Sequence, residues 1–190
     1  MSMNITKKAM NNIMKKIRIK TPIIYCIRHG EATHNVDFVK YGMSTYYDKT
    51  KVDTNLTSKG ENQAKNLGKT WIELNEKTQE NKIDLIITSP LSRCLQTTTG
   101  IFGYKPIAPI ISLEECREYP LGAEYCNQRK KINILKKQYP HVNFSNIVSN
   151  EDILWSEKKE TPDEFSERVE NFKEILTTII KENDYKKIVV

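Results

Sequence analysis

Short, continuous apolar runs alternate along this chain with stretches whose apolar residues recur at helical spacing. Ile23-Ile24-Tyr25-Cys26-Ile27 is the first run, rich in β-branched residues, and predicts a buried strand. Ile83 to Thr88 predicts a second strand, Ile107 to Ser112 a short edge strand, and Ile188-Val189-Val190 the start of another buried one. Helical patterns lie between them. Ser58-Lys59-Gly60-Glu61 reads as a capping box in which Ser58 caps and Glu61 reaches back, ahead of a stripe of Ala64, Leu67, Trp71 and Leu74. Ser89-Pro90 offers a capping hydroxyl with proline at the first helical position, and Leu91, Leu95 and Thr98 line the helix that follows. Arg129-Lys130-Lys131 opens a further helix through Ile132, Leu135 and Tyr139, with the three cations read as its wet face. Thr161-Pro162-Asp163-Glu164 is another capping box, and the helix after it buries Phe165, Val169, Phe172, Ile175, Leu176 and Ile179. Val36 to Asp53 and His141 to Glu160 show no clear period; the first reads as a loop, the second as an irregular segment anchored by Trp155.

At 190 residues the chain can bury one good core, so one domain is expected. No apolar run approaches the length that spans a bilayer, which argues against a membrane partner. The net charge of +6 is placed unevenly: Lys7, Lys8, Lys15, Lys16, Arg18 and Lys20 all precede Glu31, the first acidic residue. Residues 1–20 lack the apolar core of a secretory signal and read as a basic, poorly ordered tail ahead of a domain over 21–190. Their Lys- and Asn-rich composition differs from the Arg- and Ser-rich habit of a mitochondrial presequence. Nothing aromatic interleaves with the lysines, so a nucleic-acid partner has no support. Cys26, Cys94, Cys116 and Cys126 lack the paired spacing of a metal site and fit reduced thiols of a cytosolic protein.

The chemistry is concentrated where the first strand ends. Arg28-His29-Gly30 joins a cation, an imidazole and a conformationally free residue at what should be the C-terminal edge of the sheet, where ligands bind in open α/β folds. A neutral imidazole is a competent nucleophile near pH 7, and a guanidinium can clamp phosphate oxygens through paired hydrogen bonds. Such residues suit phosphoryl transfer. Arg93, on the first turn of the helix after Ser89-Pro90, would project its guanidinium toward the same crevice as the free N–H groups of that helix start. A carboxyl of raised pKa would then be needed to protonate the departing alkoxide, in a segment where Glu114, Glu115 and Glu118 crowd together.

Arg28-His29-Gly30-Glu31-Ala32-Thr33-His34-Asn35 resembles the opening signature of the histidine phosphatase superfamily, the phosphoglycerate-mutase-like proteins. Leu56, Thr57, Gly60, Gln63 and Ala64 match a second signature, and Ser89 to Thr97 looks like the second phosphate-clamp segment. Cys126-Asn127-Gln128-Arg129 and Leu154-Trp155 resemble a plant and fungal subgroup. The resemblance implies an α/β, three-layer fold, a mostly parallel sheet flanked by helices. It implies His29 as the residue that becomes phosphorylated and Arg28, Asn35 and Arg93 as phosphate ligands. Glu118, four positions before Gly122, becomes the acid, with Glu115 as fallback. The strand ends carrying Arg28-His29 and Ser89 to Arg93 would be neighbours in the sheet.

The same resemblance calls for a second histidine just after the strand at Ile188, whereas His29, His34 and His141 are the chain's histidines and Val190 is its last residue. His34 falls at a variable position of the signature, and His141 reads as a surface residue. The expectation is a chain truncated within its C-terminal strand. The implied function is a phosphohydrolase acting on a small phosphorylated substrate through a phosphohistidine, without metal or cofactor. The alternatives are a phosphomutase built from the same parts, and a weakened phosphate-binding module lacking the second histidine. The expected location is cytoplasmic, or also nuclear.

Overall fold

The computed structural model describes residues 21–77 and 82–190, with side chains left undescribed from 74 to 77. The basic tail predicted over 1–20 lies outside these residues, as does the side chain of Leu74. The core is one five-stranded sheet in which every pairing is parallel, in the order β1-β5-β2-β3-β4. The strands are β1 (Ile23–Tyr25), β2 (Leu85–Thr88), β3 (Ile110–Ser112), β4 (Val142–Asn143) and β5 (Lys187–Val189). The helices are α1 (Thr33–Tyr41), α2 (Ser58–Lys77), α3 (Ser92–Phe102), α4 (Ile132–Gln138) and α5 (Pro162–Asn183).

Successive strand residues point to opposite faces, and β2 is buried on both. Ile86 joins Leu95 of α3, Leu135 of α4, Ile110, Val142, Phe144 and Val189 on one face, with Trp71 of α2 packed alongside. Leu85 and Ile87 join Ile188 and Leu176 of α5 on the other. The result is the predicted three-layer α/β arrangement. Among the residues predicted to be buried in α5, only Leu176 is fully so; Phe165, Val169, Phe172, Ile175 and Ile179 are half-buried.

Two sheet predictions are corrected. β5, not β2, lies beside β1, so the strand ends carrying Arg28-His29 and Ser89 to Arg93 are separated by a strand. β3 is not an edge, because β4 pairs with it from within a segment predicted irregular. A two-residue strand has no period to read. Among the described residues β1 is itself an edge, which leaves Ile23, Ile24 and Cys26 exposed where the apolar run predicted burial.

Local signals shifted in similar ways. Val36 to Asp53 holds α1 and a 3-10 turn over Gly42–Tyr47 rather than a loop; Val36, Val39 and Tyr41 are exposed, so no apolar stripe announces the helix. The cap of α2 is Thr57, whose Oγ1 accepts from Gly60 N at 3.1 Å, one residue before the predicted Ser58. Helix α3 begins at Ser92 rather than next to Pro90. The buried stripe of α2 is Ala64, Gly68 and a half-buried Trp71, with Leu67 turned outward. Its small residues let α2 and α3 approach closely: a Cβ on Gly68 would meet Ile101 O at 2.5 Å, and one on Gly100 would meet the Ala64 Cβ at 2.7 Å. Trp71 then wedges edge-on between Tyr25 and Phe102, with ring centroids 5.2 and 5.9 Å away. The Thr161 capping box of α5 forms as predicted, Glu164 N donating to Thr161 Oγ1 and Thr161 N to Glu164 Oε2.

Candidate active site

β1 and the turn after it deliver Arg28, His29 and Gly30 to the C-terminal edge of the sheet. His29 Nδ1 lies 2.7 Å from the Gly30 carbonyl, an acceptor, so this nitrogen carries the proton. Nε2 is thereby left with its lone pair. That nitrogen is buried without a hydrogen-bond partner among the described residues, and the side chain is 7% exposed. Gly30 N donates to Thr97 Oγ1 at 3.0 Å, and Thr97 Oγ1 donates to the Arg93 carbonyl at 2.8 Å. These bonds bring the His29 turn to α3 although β5 intervenes in the sheet.

Arg93 is fully buried. Its Nη1 donates to Cys126 O, and its Nη2 to Asn127 Oδ1 and Glu118 Oε2, each at 2.8 Å. Its Nε has no partner among the described residues. The start of α3 is fixed by buried Asp53, which accepts from Ser92 N at 2.7 Å, Ser92 Oγ at 2.8 Å and Lys130 N at 3.1 Å. The expectation of free N–H groups there is therefore corrected: a carboxylate of the chain itself occupies the positive end of the helix.

Glu118 Oε2, bound to Arg93, lies 3.6 Å from His29 Nε2. Glu118 was expected to have a raised pKa. The structure reverses this: a hydrogen bond from the His29 ring, made when Nε2 also carries a proton, and then the Arg93 charge outweigh burial and hold the carboxyl down to about 2. The fallback Glu115 lines a separate cavity beside α5, with Leu154, Glu160 and Arg168.

Arg28 is exposed, lines a cavity of about 410 Å³ with His29, Ser89, Cys94, Thr97 and Val190, and lies within electrostatic reach of His34 and Tyr46. Asn35 is at the site but its amide is committed. Its Oδ1 accepts from Ala32 N at 2.9 Å, so its Nδ2 donates to His34 Nε2 at 3.0 Å. His34 must then carry its proton on Nδ1, which donates to Thr54 Oγ1 at 2.6 Å. Burial, with the nearby Arg93, lowers the His34 pKa to about 3, and the ring stays neutral.

His34, Thr97 and Asn127 were missed by sequence reasoning; only the position of His34 inside the first signature could have flagged it. His141 is half-buried rather than superficial, bonded to Thr99 Oγ1 at 3.0 Å and packed edge-on against Tyr104. Arg129 is corrected from wet face to buried strut. It binds Glu114 Oε1 at 2.6 Å and the carbonyls of Ser149, Asn150 and Glu151, while Arg117 forks onto Asp152 at 2.7 and 2.8 Å. Together they brace the segment that carries Glu118 and Asn127. Lys130 is half-buried on Ser92 Oγ, and of the three only Lys131 is exposed. Trp155, expected in the core, is half-buried outside both core clusters, packing on Tyr125 and donating to Glu124 O. Burial pushes the Cys116 and Cys126 thiols up to about 12, which suits inert, reduced cysteines.

Behind His29 the backbone is close-packed. A Cβ on Gly60 would lie 2.1 Å from Glu31 O, and one on Gly30 would lie 2.5 Å from Gly60 O. Gly60→Ala is expected to push the 29–31 turn away from α2, costing about 1–3 kcal/mol and moving the Gly30 amide off Thr97 and His29 with it. Urea denaturation checks the stability loss, and phosphate-monoester turnover checks the displacement.

An imidazole, a buried guanidinium and a carboxylate thus converge at the carboxyl ends of parallel strands. Residues 24–190 match the model of the Histidine phosphatase superfamily (branch 1), and the chain belongs to that superfamily. Within it the relatives are phosphoglycerate mutase-like. Phosphoglycerate mutase-like protein 1 of Arabidopsis thaliana is 34% identical over 183 residues, which cover 82% of this chain and 62% of that protein. A second Arabidopsis phosphoglycerate mutase-like protein is 30% identical over 179 residues, covering 80% and 62%. This chain thus spans 62% of the length of each of these relatives. A solved Escherichia coli structure, of a candidate alpha-ribazole-5'-P phosphatase, shares the fold with a TM-score of 0.53. It is 24% identical, and the match covers 88% of this chain and 71% of that one. Among the described residues no helix is long and apolar enough to cross a membrane.

Proposed function

We propose that this chain is a phosphohydrolase for phosphate monoesters that works through a phosphohistidine at His29. One observation carries the reading. An anionic oxygen, Glu118 Oε2, is held 2.8 Å from a fully buried guanidinium and 3.6 Å from the free imidazole nitrogen of His29. A phosphoryl oxygen would be held by the same Arg93, with phosphorus facing His29 Nε2 and the exposed Arg28 closing over the outer oxygens.

The chemistry is then mostly positioning and charge. The Nε2 lone pair attacks phosphorus and the bond to the leaving oxygen breaks, while Glu118 gives that oxygen its proton. In the second half Glu118 takes a proton from water, the water oxygen bonds to phosphorus, and the P–N bond breaks. Free Glu118 is ionised at working pH, so the proton must arrive with the substrate monoanion. As a phosphoryl group takes over Arg93, the carboxylate loses its cation and becomes basic enough to accept it. Hydrolysis is favoured over the mutase reaction because the long insertions associated with glycolytic mutases are not evident in the sequence.

The test is alkaline quench during turnover of a phosphate monoester, followed by peptide mass spectrometry. An acid-labile, base-stable phosphoryl group on the His29 peptide is expected; turnover without it refutes the proposal. Because the monoanion delivers the proton, kcat/KM should fall with unit slope above about pH 6, the second pKa of such esters. Glu118→Gln should cost an alkyl phosphate on the order of 10²–10⁴ in kcat, and 4-nitrophenyl phosphate, whose leaving group needs no proton, far less.

A further inference from the structure

We propose that His29, His34 and Glu118 form a capture site for a borderline-soft divalent cation, Zn²⁺ by chemistry, and that its occupancy excludes the phosphate monoester. The metal contact itself does not depend on the proposed hydrolase; the inhibitory consequence rests on that reading of His29.

The three side chains place one ring nitrogen each and a carboxylate oxygen all within 4.8 Å of one another. Zinc binds imidazole and carboxylate at about 2.0–2.2 Å, so shifts on the order of an ångström bring all three to one ion. The atoms are also in the right state. His29 Nε2 is buried, with its lone pair free and no partner among the described residues. His34 Nε2 is an acceptor, because Asn35 Oδ1 is committed to Ala32 N and only Nδ2 remains to face it. A cation would replace that single amide donor, and His34 Nδ1 would stay bonded to Thr54 Oγ1, an outer hydrogen bond of the kind that fixes a metal-binding histidine. Glu118 gives Arg93 one oxygen, Oε2, and its Oε1 makes no hydrogen bond among the described residues. Two imidazoles and a carboxylate leave a fourth tetrahedral position open. Mg²⁺ and Ca²⁺, which prefer six or more oxygen ligands, do not fit such a set.

Nothing in the proposed reaction uses His34 as acid or base, which leaves its place 5.9 Å from the His29 ring otherwise unassigned. A bound cation would hold the very lone pair that must attack phosphorus. The opposing charges are Arg93, on Glu118, and Arg28, exposed at the same cavity. They set the sign of a diagnostic: cations favour the phosphate anion and disfavour the metal ion, so loss of Arg28 should move the two affinities in opposite directions.

The experiment is Co²⁺ titration of the whole chain followed by visible absorption, with Zn²⁺ displacement by calorimetry. Wild type should bind one equivalent with tetrahedral d–d bands and no thiolate-to-metal charge transfer. His34→Gln should weaken binding at least about tenfold, a ligand loss costing no less than an outer-shell change. Arg28→Gln should tighten the metal and weaken 4-nitrophenyl phosphate. Unchanged affinity in His34→Gln, thiolate charge transfer, or equal binding of Mg²⁺ would overturn the proposal. Metal binding as described without a phosphohistidine in the quench experiment would sink the hydrolase reading alone.

Discussion

His29→Ala is expected to abolish phosphorylation of the chain and to lower kcat by about 10⁵–10⁶, the scale seen when a covalent nucleophile is removed. The reason is specific to this ring. Its Nδ1 proton is committed to the Gly30 carbonyl at 2.7 Å, so the lone pair sits on Nε2, facing Glu118 Oε2 at 3.6 Å. His34, with its ring centroid 5.9 Å away, cannot substitute, because its Nε2 is taken by the Asn35 amide and its Nδ1 proton by Thr54. Folding should survive the change, since the ring makes no hydrogen bond beyond its neighbour's carbonyl. Unchanged urea midpoint, full loss of label and loss of turnover form the expected set. Turnover in His29→Ala equal to wild type would instead leave a phosphate-binding module.

Four of the five strands and the α/β class were legible from local pattern, whereas His29, Arg93 and Glu118 were singled out together through the resemblance. Ile23 to Ile27 and Ile83 to Thr88 read as strands from continuous apolar character alone. What stayed hidden depends on pairing across distance. Nothing in Ile188-Val189-Val190 says that it inserts between β1 and β2, and this insertion leaves Ile23 and Ile24 at an open edge. The polarity of Arg129 suggested water; its five partners lie on Glu114 and on carbonyls between residues 130 and 151. Asp53 is a similar case: an acid in a polar stretch becomes the buried anchor of α3 because Ser92 and Lys130 fold onto it. Glu118 shows the limit most sharply. The resemblance, through the spacing of Glu118 to Gly122, implied an acid, but its ionisation is set by His29 and Arg93, residues that only the fold brings near.

Arg93→Lys keeps the charge and should still cost about 10²–10³ in kcat/KM, the scale for removing one preorganised donor to a developing oxyanion. A guanidinium is a planar fork, and here its two outer nitrogens reach three acceptors at once: Cys126 O, Asn127 Oδ1 and Glu118 Oε2. An ammonium at the end of a shorter, flexible stem satisfies at most part of that set and leaves buried oxygens bare. Arg93→Met goes further. It removes the charge that faces Glu118 and leaves Asn127 Oδ1 and Cys126 O without their donor, a loss expected to cost about 3–5 kcal/mol as for breaking a buried ion pair. That figure is an upper range, because Glu118 is 42% exposed and water can re-solvate it. The two substitutions therefore separate binding from folding. Arg93→Lys should lower activity by orders of magnitude with a smaller shift in unfolding midpoint than Arg93→Met, which loses the charge as well. If Arg93→Lys kept wild-type kcat/KM, the guanidinium would be a strut for the 118–127 segment and not a phosphate ligand.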